Sequence, residues 1–263
     1  MISPVFSWSL SQFQALVLIL MRVAPILFMM PLFNARNLPN LLKVGLALTV
    51  SLVLWNVVKI EDSFFPSEPF GFAFLMISEF MIGFLLGLSI SLIFAGIQLA
   101  GEFAATQMGL AMANIMDPQS GFSSTLIAQF YYLTALLLFL AIDGHHWFFR
   151  ALAQSFHLLP PGTWVLREGL YQHLLGISGK MFLIALNIVA PVMAILILVQ
   201  IALGLVARMV PQVNILMSSF PLTIGLGLVF LGLSLDLLQV YLKTLLEEAG
   251  KGLVMTLLPL MRQ

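Results

Sequence analysis

Two stretches of this chain, Met181 to Ala207 and Met209 to Leu235, contain no charged residue, and Arg208 alone separates them. Nothing else in the sequence limits the fold as strongly. An α-helix needs about 20 apolar residues to cross the hydrocarbon core of a bilayer. Further stretches qualify: Leu10 to Phe33, which carries Arg22, Pro25 and Pro31; Leu41 to Val58, with Lys43; Phe70 to Ala100, with Glu79; and Phe122 to Ile142, with no charge. Backbone polar groups in lipid must be satisfied within the segment, which leaves helices or closed barrels. Barrel strands alternate apolar and polar over about 10 residues, and these runs do not alternate. The expected fold class is therefore an all-α integral membrane protein of about six hydrophobic, partly broken helical segments. Prolines 25, 31, 191, 211 and 221 are the expected places for breaks.

Composition agrees. The 263 residues are 61% hydrophobic and 8% charged, too few charges to coat a water-facing surface. Eleven basic residues balance eleven acidic ones, so no basic patch argues for nucleic acid. The chain has no cysteine, which excludes disulfides, thiolate metal sites and thiol catalysis. The opening MISPVFSWSLSQF lacks the basic region of a cleavable signal peptide, so the first hydrophobic stretch is expected to be retained.

The connections differ in character. Asn34–Asn40 reads as a short turn and Lys59–Pro69 as an acidic loop. Gly101–Gly121 reads as a weakly polar, glycine-punctuated connection, and Asp143–Gly179 as the largest polar region. From Asp236 onward the pattern is amphipathic. Leu237, Leu238, Tyr241, Leu242, Leu245 and Leu246 oppose Lys243, Glu247, Glu248 and Lys251, as in a helix lying on a membrane surface or a partner. If all six segments span, the positive-inside rule puts both termini in the cytoplasm.

Several features point to function. Gly83, Gly87, Ser91 and Ala95 recur at four-residue spacing, a smooth strip for a second backbone; packing within the chain and packing against another subunit both fit it. Met108, Met112 and Met116 also recur every fourth residue, so on a helix they share a face. Core packing explains that spacing. A deformable, Met-lined seal explains it together with Gly101, Gly109, Gly121 and the Asp117-Pro118 stop. Charges within apolar segments are costly and default to functional hypotheses: Arg22, Glu79, Glu102, Asp117, Arg208 and Asp236, with Glu79 the most isolated. Adjacent His145 and His146 point in different directions on a helix, and no HExxH is present, so no metal is expected; Trp147, Phe148, Phe149 and Trp164 suggest the headgroup level instead. No phosphate-binding glycine loop or serine nucleophile elbow occurs. Neither an enzyme nor a cofactor is expected.

The stretch GEFAATQMGLAMANIMDPQSG, residues 101 to 121, resembles the central signature of the FliR family of flagellar export-gate proteins. RVAPILFMMPLF, DGHHWFFRAL with SFHLLPPG, and ARMVPQVNILMSSFPL match further family segments in the expected order. Together they cover essentially the whole chain. Ser218-Ser219 departs from the family's usual glycine before Phe220-Pro221. Related proteins serve the injectisome; Pro211–Asn214 looks flagellar.

The resemblance implies a non-enzymatic subunit that joins FliP and FliQ in a hetero-oligomeric helical complex, with FlhB associated and FlhA beneath. That complex sits in the bacterial inner membrane at the flagellar basal body. It implies a FliP-like part over 1–179 and a FliQ-like C-terminal hairpin with its amphipathic end over 180–263. Flagellar export substrates and proximal rod proteins would pass through the centre. The loop near 106–121 would be the plug, with Gln107, Met108, Gly109, Leu110, Met112, Asn114, Met116, Asp117, Pro118 and Gly121 as its residues. A secondary transporter coupled through Glu79 or Glu102 is the alternative from a different class, and a metalloenzyme around His145 and His146 a third.

Overall fold

The computed structural model describes residues 9–33, 38–58, 60, 65–66, 68–110, 125–164, 168–209, 215–252, 255 and 258–261, with the backbone alone at 215–218. Among these residues the secondary structure is overwhelmingly helical. The helices are α1 (Leu10–Met29), α2 (Asn40–Val57), α3 (Pro69–Met108), α4 (Leu126–Ala141), α5 (Gly144–Leu158), α6 (Glu168–Met209), α7 (Ile215–Gly252) and a short α8 (Leu258–Leu260). Five are long and apolar enough to cross a membrane, and α4 and α5, broken at Ile142 and Asp143, qualify together as a sixth. The all-α membrane architecture expected from the sequence is what forms.

The helices are longer than the apolar runs. At 1.5 Å per residue, the 40, 42 and 38 residues of α3, α6 and α7 trace about 60 Å each, roughly twice the hydrocarbon thickness. A single crossing cannot hide such a helix in lipid. Four expectations change accordingly. Gly101–Met108 is helix, not connection, because GEFAATQM holds good helix formers after its glycine. The polar region after Asp143 is mostly helical, forming α5 and the first turns of α6. The amphipathic stretch from Asp236 continues α7 rather than forming a separate surface helix. Pro25, Pro191 and Pro221 lie inside helices that run on through them; packed neighbours make interior prolines tolerable in membrane helices.

The chain divides into two compact units, interleaved along the sequence: Met1–Ser91, Asp143–Gly176 and Glu247–Gln263 form the first, Leu92–Ile142 and Ile177–Leu246 the second. In the first, α1 opens with a capping box. The Ser9 hydroxyl accepts from Gln12 N–H, and the Gln12 side chain accepts from Ser9 N–H. Its buried residues, Ala15, Leu18, Ile19, Arg22, Val23, Ile26 and Leu27, follow helical spacing. Helix α2 packs along α1 but buries only Ala47 and Ser51. Three of its polar side chains suit lipid. Thr49, Ser51 and Asn56 all donate to carbonyls four residues back, so no water is needed to satisfy them.

In the second unit, Phe94 meets Tyr132 and Phe139 edge-on at 6.0 and 5.7 Å, a favoured aromatic geometry. Helix α6 buries Ile184, Ala185, Ile188, Val189, Val192 and Leu196; α7 buries Leu231, Ser234, Leu238, Leu242 and Leu246. Both stripes have helical spacing. Of the amphipathic face read from Asp236 onward, Leu238, Leu242 and Leu246 thus lie against this unit's own core, while Leu237 is exposed.

Candidate functional site

The C-terminal end of α3 is where the sequence signature and the packing coincide. A helix leaves its last four carbonyls without intrahelical partners. Here those of Ala105, Thr106, Gln107 and Met108 are all answered. Leu110 N–H donates to Ala105 O at 2.9 Å and Gly109 N–H to Thr106 O at 3.1 Å, the paired bonds of a Schellman stop. That stop needs a left-handed residue, and Gly109 sits at φ +85°, a conformation glycine adopts without cost. The other two carbonyls are answered from outside the helix. Gln200 Nε2 of α6 donates to Gln107 O at 3.3 Å and to Gln107 Oε1 at 3.0 Å. Thr223 Oγ of α7 donates to Met108 O at 3.1 Å, its one proton shared with the carbonyls of Ser219 and Phe220.

Side chains close the same point. Met108 is fully buried and lies over Gly227, where a Cβ would stand 2.6 Å from the Met108 Cγ and Cε. A Cβ on Gly109 would stand 2.6 Å from the Phe220 ring. Phe220, Thr223 and Gly227, at i, i+3 and i+7, share one face of α7. The helix stops at Met108, so no continuous helical face joins Met108 to Met112 and Met116. For Met108 the core-packing reading holds. Leu110 is half-buried, and the predicted plug residues Met112, Asn114, Met116, Asp117, Pro118 and Gly121 lie outside the described residues.

The chain re-enters the described structure at Thr125, and that end is also fixed to α3. Glu102 Oε1 accepts from Thr125 N–H at 3.0 Å, placing a carboxylate at the positive end of α4. The Thr125 hydroxyl accepts from Ala128 N–H as the helix cap. Gly101 lets the Ala128 backbone approach so closely that any side chain would overlap it. Glu102 therefore has a structural partner.

The first unit holds a charged cluster. Arg22 and Glu79, fully buried and 57 positions apart, form an ion pair. Arg22 Nη1 donates to Ser155 Oγ at 3.1 Å and Nη2 to Leu159 O at 3.0 Å, while its guanidinium stacks 4.1 Å from the Phe156 ring centre. One side chain thus ties α1, α3 and α5. Glu79 is not isolated, as the sequence had suggested; its second oxygen, Oε1, has no partner among the described residues. Contact between α1 and α3 depends on the small-residue strip. Gly83 meets the carbonyl of Arg22 and Gly87 the backbone of Pro25 and Ile26. These two glycines are committed within the chain, whereas Ser91 is half-buried and Ala95 exposed, so the four do not form one interface. Arg208 is exposed at the last turn of α6, where a cation suits the helix end.

Asp143, His145 and His146 bring one donor atom each within 4.8 Å of one another. The rings converge, with centres 4.1 Å apart, contrary to the divergence expected of adjacent helical histidines. Both histidines lie in the first turn of α5, which opens from the left-handed backbone of Asp143 at φ 55°. The group stands at a helix N-terminus, which disfavours a cation, and Asp143 and His146 are largely exposed.

Residues 13–249 match the family described as bacterial export proteins, family 1. The chain is also 34% identical to the flagellar biosynthetic protein FliR of Pectobacterium carotovorum subsp. carotovorum, over 86% of each chain. It is 34% identical to that of Bacillus subtilis, over 83% of this chain and 85% of the relative, and 31% identical to that of Escherichia coli K12, over 87% of each. This chain belongs to the FliR family of bacterial export proteins. The FliR match takes in Arg22, Glu79, the end of α3 and its contacts on α7, so both clusters fall inside the family region. Membership makes it a component of flagellar export in a membrane setting, consistent with its apolar helices.

Proposed function

We propose that this chain is a non-enzymatic subunit of the flagellar type III export gate. In this reading it joins FliP- and FliQ-type subunits in the inner membrane at the basal body, with FlhB and FlhA as further partners. Unfolded flagellar subunits and proximal rod proteins cross through that assembly, driven by other components. Residues 1–179 supply the FliP-like part and 180–263 the FliQ-like hairpin. The plug near 106–121 seals the closed channel, with Gln107 and Met108 as its helical base and the stretch from Gly109 to Gly121 as the seal itself.

The observation that carries this is the fixing of both ends of that segment. Gly109 and Leu110 leave α3 through a fully satisfied helix end, and Thr125 returns to α3 through Glu102. A seal must be held firmly at its base, and residues 109 to 124 start and finish on the same helix. Two further observations support a subunit rather than a solitary transporter. Helices of about 60 Å exceed one bilayer crossing, and Glu79 and Glu102 both have structural partners rather than standing free for coupling. Exposed Leu41, Val53, Leu205 and Met209 give apolar area for lipid or neighbours.

The seal is tested by deleting residues 109–113 in cells that assemble the gate and measuring ion leak across the membrane. A rise in leak at equal gate abundance is expected; unchanged tightness would sink the plug assignment. Purification in mild detergent tests the assembly: a stable hetero-oligomer is expected, and a lone monomer binding a small solute would favour a transporter.

A further inference from the structure

We propose that the Phe220–Thr223–Gly227 face of α7 is a fixed seat for the end of α3, with Thr223 and Phe220 acting as positioning residues for the segment after Gly109. The function given to the seat rests on reading that segment as the channel seal. The geometry of the seat stands apart from it.

The three residues meet three different parts of the α3 terminus. Phe220 covers the Cα of Gly109, Thr223 engages the carbonyl of Met108, and Gly227 receives the Met108 side chain. Each contact is specific in kind. The hydroxyl of Thr223 answers a carbonyl that no N–H of α3 can reach. The missing side chain at Gly227 leaves the space that the Met108 thioether fills. The Phe220 ring stands where any Cβ at 109 would go, so it fixes both the residue type and the direction in which the chain leaves the helix. Met108 is fully buried and Thr223 nearly so. Parting the two helices would expose Met108 and strand its carbonyl in apolar surroundings, which is costly. The seat therefore stays closed through export.

The absence of cysteine makes this directly testable. A Met108→Cys/Gly227→Cys pair puts one sulfur in the place of the Met108 Cγ, beside the new Cβ at 227, close to disulfide geometry. In the full chain assembled with its partners, the pair should oxidise readily, and the oxidised gate should both stay tight and export at the rate of its reduced form. Thr223→Val keeps the shape and removes the hydroxyl; ion leak per assembled gate should rise about fivefold, the equilibrium weight of one lost hydrogen bond. Thr223→Ser, which keeps the hydroxyl, should restore tightness, as a role in packing alone would not predict. An oxidised pair that stops export, with recovery on reduction, would show that the seat opens and overturn the proposal. So would a pair that stays reduced, or a Thr223→Val gate as tight as the parent. If deletion of 109–113 left the membrane tight, the seal reading would fail, while the disulfide yield would still decide the seat.

Discussion

Helix α3 is fastened by opposite means in its two units. In the first, it is held by charge: Glu79 pairs with a buried Arg22 that also binds Ser155 and the carbonyl of Leu159, while Gly83 and Gly87 press backbone on backbone against α1. In the second, its end is held without a net charge, by a glycine stop, two side-chain donors and a thioether lying over Gly227. The charged fastening is rigid, because each group would be stranded in a low-dielectric interior if the other left. The neutral fastening is held closed by burial, but one of its contacts is a flexible thioether, so a small substitution against that thioether is absorbed by a shift. A helix built this way has a charged anchor early in its length and a neutral seat at its end, next to the segment proposed to seal.

The contrast predicts a graded series, read as thermal unfolding of the complex in mild detergent. Arg22→Ala should have the largest effect, a loss of about 3–5 kcal/mol, because Glu79 is left buried and unpaired. Replacing both by Met should recover most of that; a double variant as damaged as the single one would show that the charge itself is not what matters. Gly109→Ala comes next. The left-handed backbone alone costs about 1–2 kcal/mol, with the Phe220 overlap on top, and adding Phe220→Ala should relieve the overlap and leave the backbone part. Gly83→Ala follows, at about 1–2 kcal/mol net, since its obstacle is the backbone oxygen of Arg22 and helix propensity returns part of the overpacking cost. Gly227→Ala should be smallest, near zero. Its Cβ meets only a flexible thioether, and gained helix propensity of about 1 kcal/mol offsets the shift. If Gly227→Ala proved as harmful as Gly83→Ala, the distinction between a backbone contact and a contact with a flexible side chain would collapse.

The sequence made some of this readable and hid the rest for physical reasons. Uncharged runs fixed the helices, since lipid allows little else. Their ends were misjudged where good helix formers continued past the apolar run, as at Gly101–Met108. Arg22 and Glu79 were each visible as a rare charge in an apolar stretch, but their pairing across 57 positions depends on how α1 and α3 fold together. Being the lone charges, of opposite sign, in two apolar runs was the available signal. Gly109 was legible as a break, and the Schellman bonds give the reason. Thr223 and Gly227 were missed. One hydroxyl and one glycine in an apolar helix carry no periodic mark, and only the packed partner, Met108, gives them a role. Methionine spacing misled in part, because a four-residue repeat implies a shared face only while the helix continues.

The bond from Glu102 to Thr125 has a consequence for how this family can vary. The bonds that hold Leu110 and Thr125 to one helix involve none of the residues between them. The sequence between Leu110 and Thr125 can therefore change without removing any of these bonds. The helices form a socket that does not depend on what it carries, so transplanting the stretch from a relative should leave the helical packing on either side of it intact.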